Sequence, residues 1–345
     1  MLNRRSFLTA NLAAILEWER LRAATGTPLL TRGIVLVPQD LTLKDWPERA
    51  KRAGLTTIGI HHPESPQAIR DWVRTETGQG FLASCERLGL AVEYELHAMK
   101  ELLPRDLFQK SPEFFRSDEK GDRTPDANCC VRSERALELI AENAVALARE
   151  LRPTTGRHFF WSDDGRPWCS CAHCKGLSPS EQALMVENRI LRALRGIDPK
   201  ASLAHLAYAN TLTPPKQVRP DSGVFLEYAP IRRRYDMPYE KQVGPDHLDA
   251  FSALEANLGA FPTDTAQVLE YWLDVSRFSG WKRPAVRLPW RPDVLKADVA
   301  TYGDRGIRHI TSFAVYVDAD YQALHGEPDF IAEYGTILAA YSPKT

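Results

Sequence analysis

Two adjacent aspartates follow a short apolar segment in the middle of the chain and precede a cluster of thiols. Asp163 and Asp164 come directly after Phe159–Ser162, and Gly165 follows them. Three cysteines lie shortly beyond: Cys169, Cys171 and Cys174. A carboxyl group at the end of a buried strand can exchange a proton with a ligand, and clustered thiols can bind a metal ion. This segment is therefore the first candidate for a reactive site.

The elements that must position these residues alternate between β-rich and helical segments from Arg32 onward, which is typical of a parallel sheet with crossover helices. The sequence predicts eight strands, at Gly33–Gln39, Leu55–His61, Leu90–His97, His158–Asp164, Ser202–Ala209, Gly223–Ala229, Ala266–Leu273 and Ile307–Val315. It predicts intervening helices at Trp46–Ala53, Gln67–Leu88, Ser133–Leu151, Pro179–Leu194, Leu248–Leu258, Pro292–Tyr302 and Asp329–Tyr341. We therefore expect an α/β fold, a single (β/α)8 TIM barrel, with its active site at the carboxyl ends of the strands.

Three connections after predicted strands 3, 4 and 6 are longer than a minimal loop: Lys100–Arg132, Gly165–Ser178 and Pro230–Asp246. Long loops on one rim of a barrel commonly carry its specificity. We expect one barrel domain at residues 32–345, preceded by an amino-terminal segment at residues 1–31.

The composition favours a folded domain without a strong electrostatic field. The chain is 43% hydrophobic and 26% charged, with a formal net charge of -1, so nothing in its overall charge recruits nucleic acid or an anionic membrane. Arg232 begins a run of three arginines, which we expect to contact a local anion or to lie in a solvated loop. No apolar run approaches the roughly 20 residues that span a bilayer, so we expect no stable membrane anchor.

The amino terminus resembles a twin-arginine export signal. The motif lies at Asn3–Thr9, and a modest apolar region follows at Leu12–Leu16. Charged residues at Glu17–Arg20 interrupt that region, and no clean small-residue cleavage site follows. We expect a periplasmic or secreted protein; the alternative is an amphipathic helix on a cytoplasmic protein.

Alternation along the second and third predicted strands places polar side chains inside the barrel. On the third strand, Glu93, Glu95 and His97 alternate with apolar residues that suit the helix layer. On the second strand, His61 shares the inner face. We therefore expect these four side chains to line or underlie a polar cleft.

The fourth strand and two later acids complete the expected map of the site. The same alternation is expected to turn Phe159 and Trp161 toward the helices and Asp164 inward. Glu227 and Glu270, on the sixth and seventh strands, are expected near the upper rim. Any single one of these acids can be satisfied by its neighbours, but several at strand ends favour a polar cleft.

Aromatic residues fall at or just beyond the predicted strand ends, and together with the polar residues they indicate a carbohydrate site. Aromatic faces stack against the C–H faces of sugar rings, while carboxylates bind the hydroxyl groups. We expect substrate contacts from nine residues: His61, Glu95, His97, Trp161, Trp168, Tyr208, Tyr228, Arg232 and Tyr271.

The cysteine spacing indicates a structural zinc site rather than a catalytic one. Cys169, Cys171 and Cys174 supply three ligands in one loop, and either Cys130 or Cys129 can supply the fourth. His173 can replace one thiol. Disulfides are the alternative in an exported protein, and free thiols in a reducing compartment. We expect no cofactor to be required for catalysis.

An ordered set of motifs resembles domain-of-unknown-function family 4838. The motifs are Glu95–His97, Leu103–Phe108, Ser111–Phe115, Asn128–Cys130, Ser162–Gly165 and Trp168–Cys174. The resemblance covers roughly Glu93–Ala229. That family is similar to barrel glycoside hydrolases, especially hexosaminidases and glucuronidases. The resemblance therefore implies a sugar-active TIM barrel that hydrolyses a glycosidic bond.

The related hexosaminidases carry two adjacent acids at the end of strand four. By this resemblance, Asp163 orients the acetamido group of an N-acetylhexosaminide, which acts as internal nucleophile, and Asp164 protonates the leaving oxygen. Adjacent strand residues face opposite ways, so the chain must turn out of the strand at Asp163, and Gly165 makes such a turn easy. Without the acetamido mechanism, Glu227 or Glu270 supplies the second carboxylate.

Two other classes remain open at this stage. One is a non-catalytic carbohydrate-binding barrel with a structural cysteine loop. The other is a metal-dependent hydrolase that uses His61, His97 and a carboxylate around an open metal site, although the sequence has no close His-x-His ligand spacing.

Overall fold

The structure is a computed structural model that describes residues 28–63, 65–244 and 247–342. The motif and apolar region of the expected export signal lie outside the described residues. No helix in the described ranges is long and apolar enough to cross a membrane.

Eight parallel strands form a closed barrel in chain order, and β8 pairs with β1. The strands are β1 (Thr31–Leu36), β2 (Thr57–His61), β3 (Ala91–His97), β4 (Arg157–Trp161), β5 (Ser202–Ala207), β6 (Val224–Tyr228), β7 (Gln267–Glu270) and β8 (His309–Phe313). Each of these strands overlaps a predicted strand, and the prediction of a TIM barrel is confirmed. Six strands end one to three residues earlier than predicted, among them β4, which ends before the aspartates, and β7, which ends at Glu270.

Helices surround the barrel. Those described are α1 (Trp46–Arg52), α2 (Pro66–Arg74), α3 (Glu76–Leu88), α4 (Met99–Leu102), α5 (Glu134–Glu150), α6 (Pro179–Arg195), α7 (Phe251–Leu258), α8 (Val275–Phe278), α9 (Pro292–Asp304), α10 (Ala319–His325) and α11 (Phe330–Ala340). Short 3-10 helices lie at Pro38–Thr42, Arg105–Gln109, Pro112–Phe114, Ala209–Thr211 and Tyr239–Lys241.

One predicted helix, Gln67–Leu88, is divided into α2 and α3. Thr75 separates them in an extended conformation, with φ -74° and ψ 159°. Its hydroxyl accepts a hydrogen bond from the backbone N–H of Gly78 at 3.1 Å, so it caps the amino terminus of α3. A threonine cap inside an otherwise helical pattern is easily overlooked in the sequence.

The main apolar core lies between the barrel and the helices. Ile58, Ile60 and Leu96 are fully buried there, as the alternation along β2 and β3 predicts. Their polar neighbours on the same strands turn inward: the backbone of Gly59 lies against the Glu95 carboxyl group inside the barrel. The inner face of β2 and β3 was therefore predicted correctly.

The predicted orientation of β4 was wrong. Glu95 and His97 pair in register with Phe159 and Trp161 of β4, and partners in parallel strands face the same side of a sheet. Phe159 therefore points into the barrel, where its ring lies 5.5 Å from that of Phe225, and Trp161 points inward above it. Because the last three residues of β4 are all aromatic, Phe159, Phe160 and Trp161, alternation gives no signal for the orientation of this part of the strand.

Candidate active site

A cleft of about 230 Å³ opens at the carboxyl ends of the strands, where a TIM barrel carries its active site. Six of the predicted site residues line it: His61, His97, Trp161, Asp164, Tyr208 and Tyr271. They come from five strands or the turns that follow them, so the barrel closure brings together residues that are far apart in sequence.

The two histidines are held through one ring nitrogen each. The Nδ1 atom of His61 lies 2.7 Å from the carbonyl oxygen of Glu95, and that of His97 lies 2.6 Å from the carbonyl oxygen of Ser162. A carbonyl only accepts, so each Nδ1 carries a proton. Burial, and then the proximity of His97, lowers the pKa of His61 to about 3, so its Nε2 is a hydrogen-bond acceptor at neutral pH.

Aromatic rings form much of the cleft wall. The Trp161 ring lies 5.0 Å from that of His97 and 5.7 Å from that of His61. Tyr271 stacks on Phe313 with a centroid distance of 5.3 Å. Flat, fixed rings of this kind can hold the apolar faces of a sugar.

Asp164 stands at the mouth of the cleft, with its side chain 61% exposed. Its Oδ1 atom lies 3.9 Å from Nε2 of His97. Burial, and then the charge of the nearby Asp164 carboxylate, raises the pKa of Tyr208. The turn that presents Asp164 ends at Gly165, which has φ 58°, as the sequence predicted.

Asp163 is held away from the cleft by the loop that follows β3. The backbone N–H of Asn128 donates to its Oδ2 atom at 2.6 Å, and its own backbone N–H donates to the Asn128 side-chain oxygen at 3.0 Å. Arg105 forms an ion pair with the same carboxylate. We call this reciprocal pair of hydrogen bonds the Asn128–Asp163 clamp. Its geometry suits a residue that fixes the β4 turn.

Asp274 also lines the cleft, although the sequence analysis missed it. It follows β7, is only 5% exposed, and its Oδ1 atom accepts hydrogen bonds from the backbone N–H and hydroxyl of Ser276. Burial raises its pKa to about 6, against these favourable hydrogen bonds. The sequence predicted a strand that ends at Leu273, so Asp274 comes directly after its predicted carboxyl end. That position could have identified it as a candidate site residue.

Glu95 and Glu227 lie deeper, inside the barrel, and both are fully buried. Glu227 accepts hydrogen bonds from Trp161 Nε1 at 2.7 Å and from Gln267 Nε2 at 3.1 Å. Neither oxygen of Glu95 has a hydrogen-bond partner among the described residues. Burial raises the pKa of both groups, and the Glu227 charge raises that of Glu95 further. These acids therefore lie beneath the cleft, with Trp161 between Glu227 and the ligand space.

Glu270 is not brought to the cleft. Its neighbours Leu269 and Tyr271 line the cleft, so alternation turns Glu270 toward the helix layer. There it forms a buried ion pair with Arg233 at 2.7 Å and accepts a hydrogen bond from the hydroxyl of Tyr302. Its position indicates a structural network between β7 and α9.

Three predicted substrate contacts also lie elsewhere. The Tyr228 hydroxyl is buried against that of Tyr239 at 2.7 Å, and Arg232 pairs with Asp249 at 2.7 Å. Trp168 is 5% exposed in the loop after β4, and its Nε1 atom has no hydrogen-bond partner among the described residues. Tyr228 faces the helices because its strand neighbour Glu227 faces the interior.

Four cysteines form the group that can hold a metal ion in the part of the chain that the structure describes: Cys130, Cys169, Cys171 and Cys174. The sequence left the fourth ligand open between Cys130 and Cys129, with His173 as a substitute for one thiol; the structure brings Cys130 to the other three thiols. His61 and His97 do not belong to such a group. The thiol cluster lies behind the β4 turn that carries the two adjacent aspartates.

A family model described as a domain of unknown function, DUF4838, matches residues 34–274. The match runs from within β1 to Asp274 and includes both cleft aspartates and the four clustered cysteines. No curated protein sequence matches the chain.

Solved structures with similar folds include several glycoside hydrolases. A β-N-acetylhexosaminidase from Bacteroides fragilis has a TM-score of 0.54 at 10% identity, over 92% of this chain and 67% of its own. A GH42 β-galactosidase from G. stearothermophilus has a TM-score of 0.53 at 13% identity, over 92% of this chain and 58% of its own. A chitinase from Rhizomucor miehei has a TM-score of 0.50 at 12% identity, over 88% of this chain and 99% of its own. At these identities the likeness shows the barrel fold alone.

Proposed function

This chain belongs to the DUF4838 family, and we propose that it is a glycoside hydrolase that cleaves a glycosidic bond in an oligo- or polysaccharide. One observation carries the proposal: two carboxyl groups, Asp164 and Asp274, share the wall of one aromatic cleft at the carboxyl ends of the strands. The first is exposed and the second is buried. Most glycoside hydrolases use two such groups with different tasks, one to protonate the leaving oxygen and one to act at the anomeric carbon.

The two environments favour a division of roles. Burial raises the pKa of Asp274 to about 6, so up to about pH 6 it retains a proton that it can give to the leaving oxygen. Asp164 then supplies the carboxylate that attacks the anomeric carbon or activates water. The opposite assignment, with Asp164 as the acid, follows from the family resemblance; the loss of activity of each variant on poor and activated leaving groups distinguishes the two.

The position of Asp163 supports two-carboxylate chemistry over acetamido assistance. An orienting residue must reach the acetamido group, whereas Asp163 is engaged by Asn128 and Arg105 in the β3 loop. N-acetylhexosaminides remain among the substrates to be tested, because the cleft aromatics do not distinguish one pyranose ring from another.

The size of the cleft favours recognition of one sugar unit. Its volume of about 230 Å³ is below the roughly 300–1,000 Å³ of sites for drug-sized ligands. His61 and Trp161 lie at its inner end, where His61 Nε2 can accept a hydrogen bond from a sugar hydroxyl. We therefore propose that a single sugar ring binds within the cleft and that the rest of the substrate extends out through its mouth.

A panel of chromogenic glycosides tests this function directly, with β- and α-linked hexosides, N-acetylhexosaminides and glucuronides as substrates. We expect the wild-type chain to release the chromophore from at least one sugar and Asp164→Asn to lose that activity. Asp236→Asn is the matched control, because Asp236 is exposed on another loop and pairs with Arg234. Sugar binding without release from any substrate would favour the carbohydrate-binding barrel instead.

A further inference from the structure

Four thiols from two loops converge behind the β4 turn. Cys130 comes from the loop after β3, and the other three come from the loop after β4. All four Sγ atoms lie within 4.8 Å of one another. The Sγ atom of Cys130 is 4.0 Å from that of Cys171 and 3.9 Å from that of Cys174.

These separations match a tetrahedral tetrathiolate site. With Zn–S bonds of about 2.3 Å, the ligand sulfurs of such a site are about 3.8 Å apart. A disulfide would instead require an S–S distance of about 2.05 Å. All four sulfurs converge on one point, whereas two disulfides would draw them into separate pairs.

We propose that Cys130, Cys169, Cys171 and Cys174 bind one Zn²⁺ ion in a closed structural site. Four thiolates fill the tetrahedral shell, so no position is left for a reactive water. Soft sulfur ligands favour Zn²⁺ over Mg²⁺ or Ca²⁺, which prefer oxygen. The proposal concerns the loops beside the cleft and stands independently of the proposed hydrolase activity.

The surroundings of the thiols compensate the negative charge that four thiolates leave around Zn²⁺. The backbone N–H of Ser117 points at the Sγ atom of Cys169 at 3.3 Å, and Arg123 Nη1 lies 3.7 Å from the same sulfur. Donors of this kind hold metal ligands in place and stabilise their charged form. Cys130, Cys169 and Cys174 are buried, while Cys171 is half-buried, which provides a path for the ion.

Two further cysteines serve as internal controls. Cys129 precedes Cys130 in sequence and is equally buried, but it does not belong to the four-thiol group. Cys85 is buried in α3, far along the chain from the cluster. A non-specific affinity of thiols for metal would not distinguish Cys129 from its neighbour, whereas a site built by geometry would.

The metal site would tie the two loops that form the Asn128–Asp163 clamp. Asn128 lies two residues before Cys130, and its side-chain nitrogen donates to the carbonyl oxygens of Arg166 at 3.1 Å and Pro167 at 3.0 Å. Cys169 lies two residues after Pro167. The ion therefore fixes both sides of the turn that presents Asp164.

The metal content of the purified full-length chain tests the proposal. The wild type and Cys129→Ser, expressed with added zinc and kept reduced, are expected to hold about one zinc per chain by inductively coupled plasma mass spectrometry. Cys130→Ser and Cys171→Ser are expected to lose most of it. Replacement by Co²⁺ is expected to give the visible absorption of a tetrahedral thiolate site in the wild type and in Cys129→Ser alone.

Defined results would overturn the proposal. A folded wild type that holds no metal in zinc-supplemented medium, with free thiols or disulfides by intact mass, would exclude the site. A stoichiometric iron content and a coloured protein would overturn the choice of zinc. Equal metal loss in Cys129→Ser and Cys130→Ser would contradict the assigned ligands. If Cys130→Ser fails to fold, the metal ratio and Co²⁺ spectrum of the wild type decide.

Discussion

The replacement of Asp274 by asparagine should stabilise the folded protein increasingly as the pH rises. Asparagine keeps an oxygen that can accept the hydrogen bonds from Ser276, but it cannot ionise. In the wild type, burial raises the pKa of Asp274 from its ordinary 3.8 to about 6. Between these values the folded state binds a proton that the unfolded state has lost, so the wild type loses stability as the pH rises.

The size of this effect follows from the pKa difference. A pKa raised from 3.8 to about 6 corresponds to about 3 kcal/mol of unfolding free energy, which is present below about pH 4 and lost by about pH 6 to 7. Because the side chain is only 5% exposed, solvent screening reduces this figure little. Relative to the wild type, Asp274→Asn should therefore gain about 3 kcal/mol between about pH 4 and pH 8.

Urea unfolding followed by tryptophan fluorescence at a series of pH values measures this difference. Asp236→Asn provides a control of opposite sign, because the hydrogen bond from Arg234 lowers the pKa of Asp236, so its removal should cost stability as the pH rises. A difference between Asp274→Asn and the wild type that stays constant with pH would show that Asp274 ionises freely in the folded state. The proton-donor role would then lose its physical basis.

Three further substitutions test separate parts of the structure. Glu227→Gln should become more stable than the wild type as the pH rises toward about 8. Burial raises the pKa of Glu227 to about 8, so its ionisation destabilises the folded wild type, whereas glutamine cannot ionise. Urea unfolding at a series of pH values measures the difference in unfolding free energy. Gly59→Ala should lower the free energy of unfolding in urea by about 1–3 kcal/mol, because the added methyl group would lie 2.7 Å from Glu95 Oε1. Gly80→Ala is the control and should not destabilise the protein, because its methyl group would have no atom within 4 Å. Asn128→Ala keeps the backbone N–H that donates to Asp163 but removes the side-chain half of the clamp and the side-chain hydrogen bonds to the carbonyl oxygens of Arg166 and Pro167. It should lower kcat about tenfold on any substrate found, with a smaller change in KM; an unchanged kcat would show that these side-chain hydrogen bonds do not position Asp164.

The barrel was predictable because its strands and helices repeat in strict order and because β2 and β3 alternate clearly between polar and apolar residues. His61, Glu95 and His97 were placed correctly on the inner face for that reason. The cysteine spacing in the β4 loop also identified three members of the thiol cluster, whereas the choice of Cys130 over Cys129 needed the path of the β3 loop.

Other parts of the site could not be predicted because they depend on side-chain direction beyond the strand ends. Trp161 ends a run of three buried aromatic residues that occupies both faces of β4, so the sequence around it is compatible with either orientation. Glu270 lies between the cleft residues Leu269 and Tyr271 along the chain, and it is turned away from the cleft only because successive side chains alternate between the two faces of β7. Asp274 enters the cleft from an irregular turn after β7, for which no periodic pattern exists.

We propose that Asp164 and Asp274 divide the cleavage of a glycosidic bond between them. The most direct measurement is kcat/KM of the wild type, Asp164→Asn and Asp274→Asn on two glycosides of one sugar, with a poor and an activated leaving group. We expect Asp274→Asn to lose about 10²–10⁴-fold on the poor leaving group but little on the activated one, and Asp164→Asn to lose activity on both. Wild-type turnover that survives in both variants would contradict the claim.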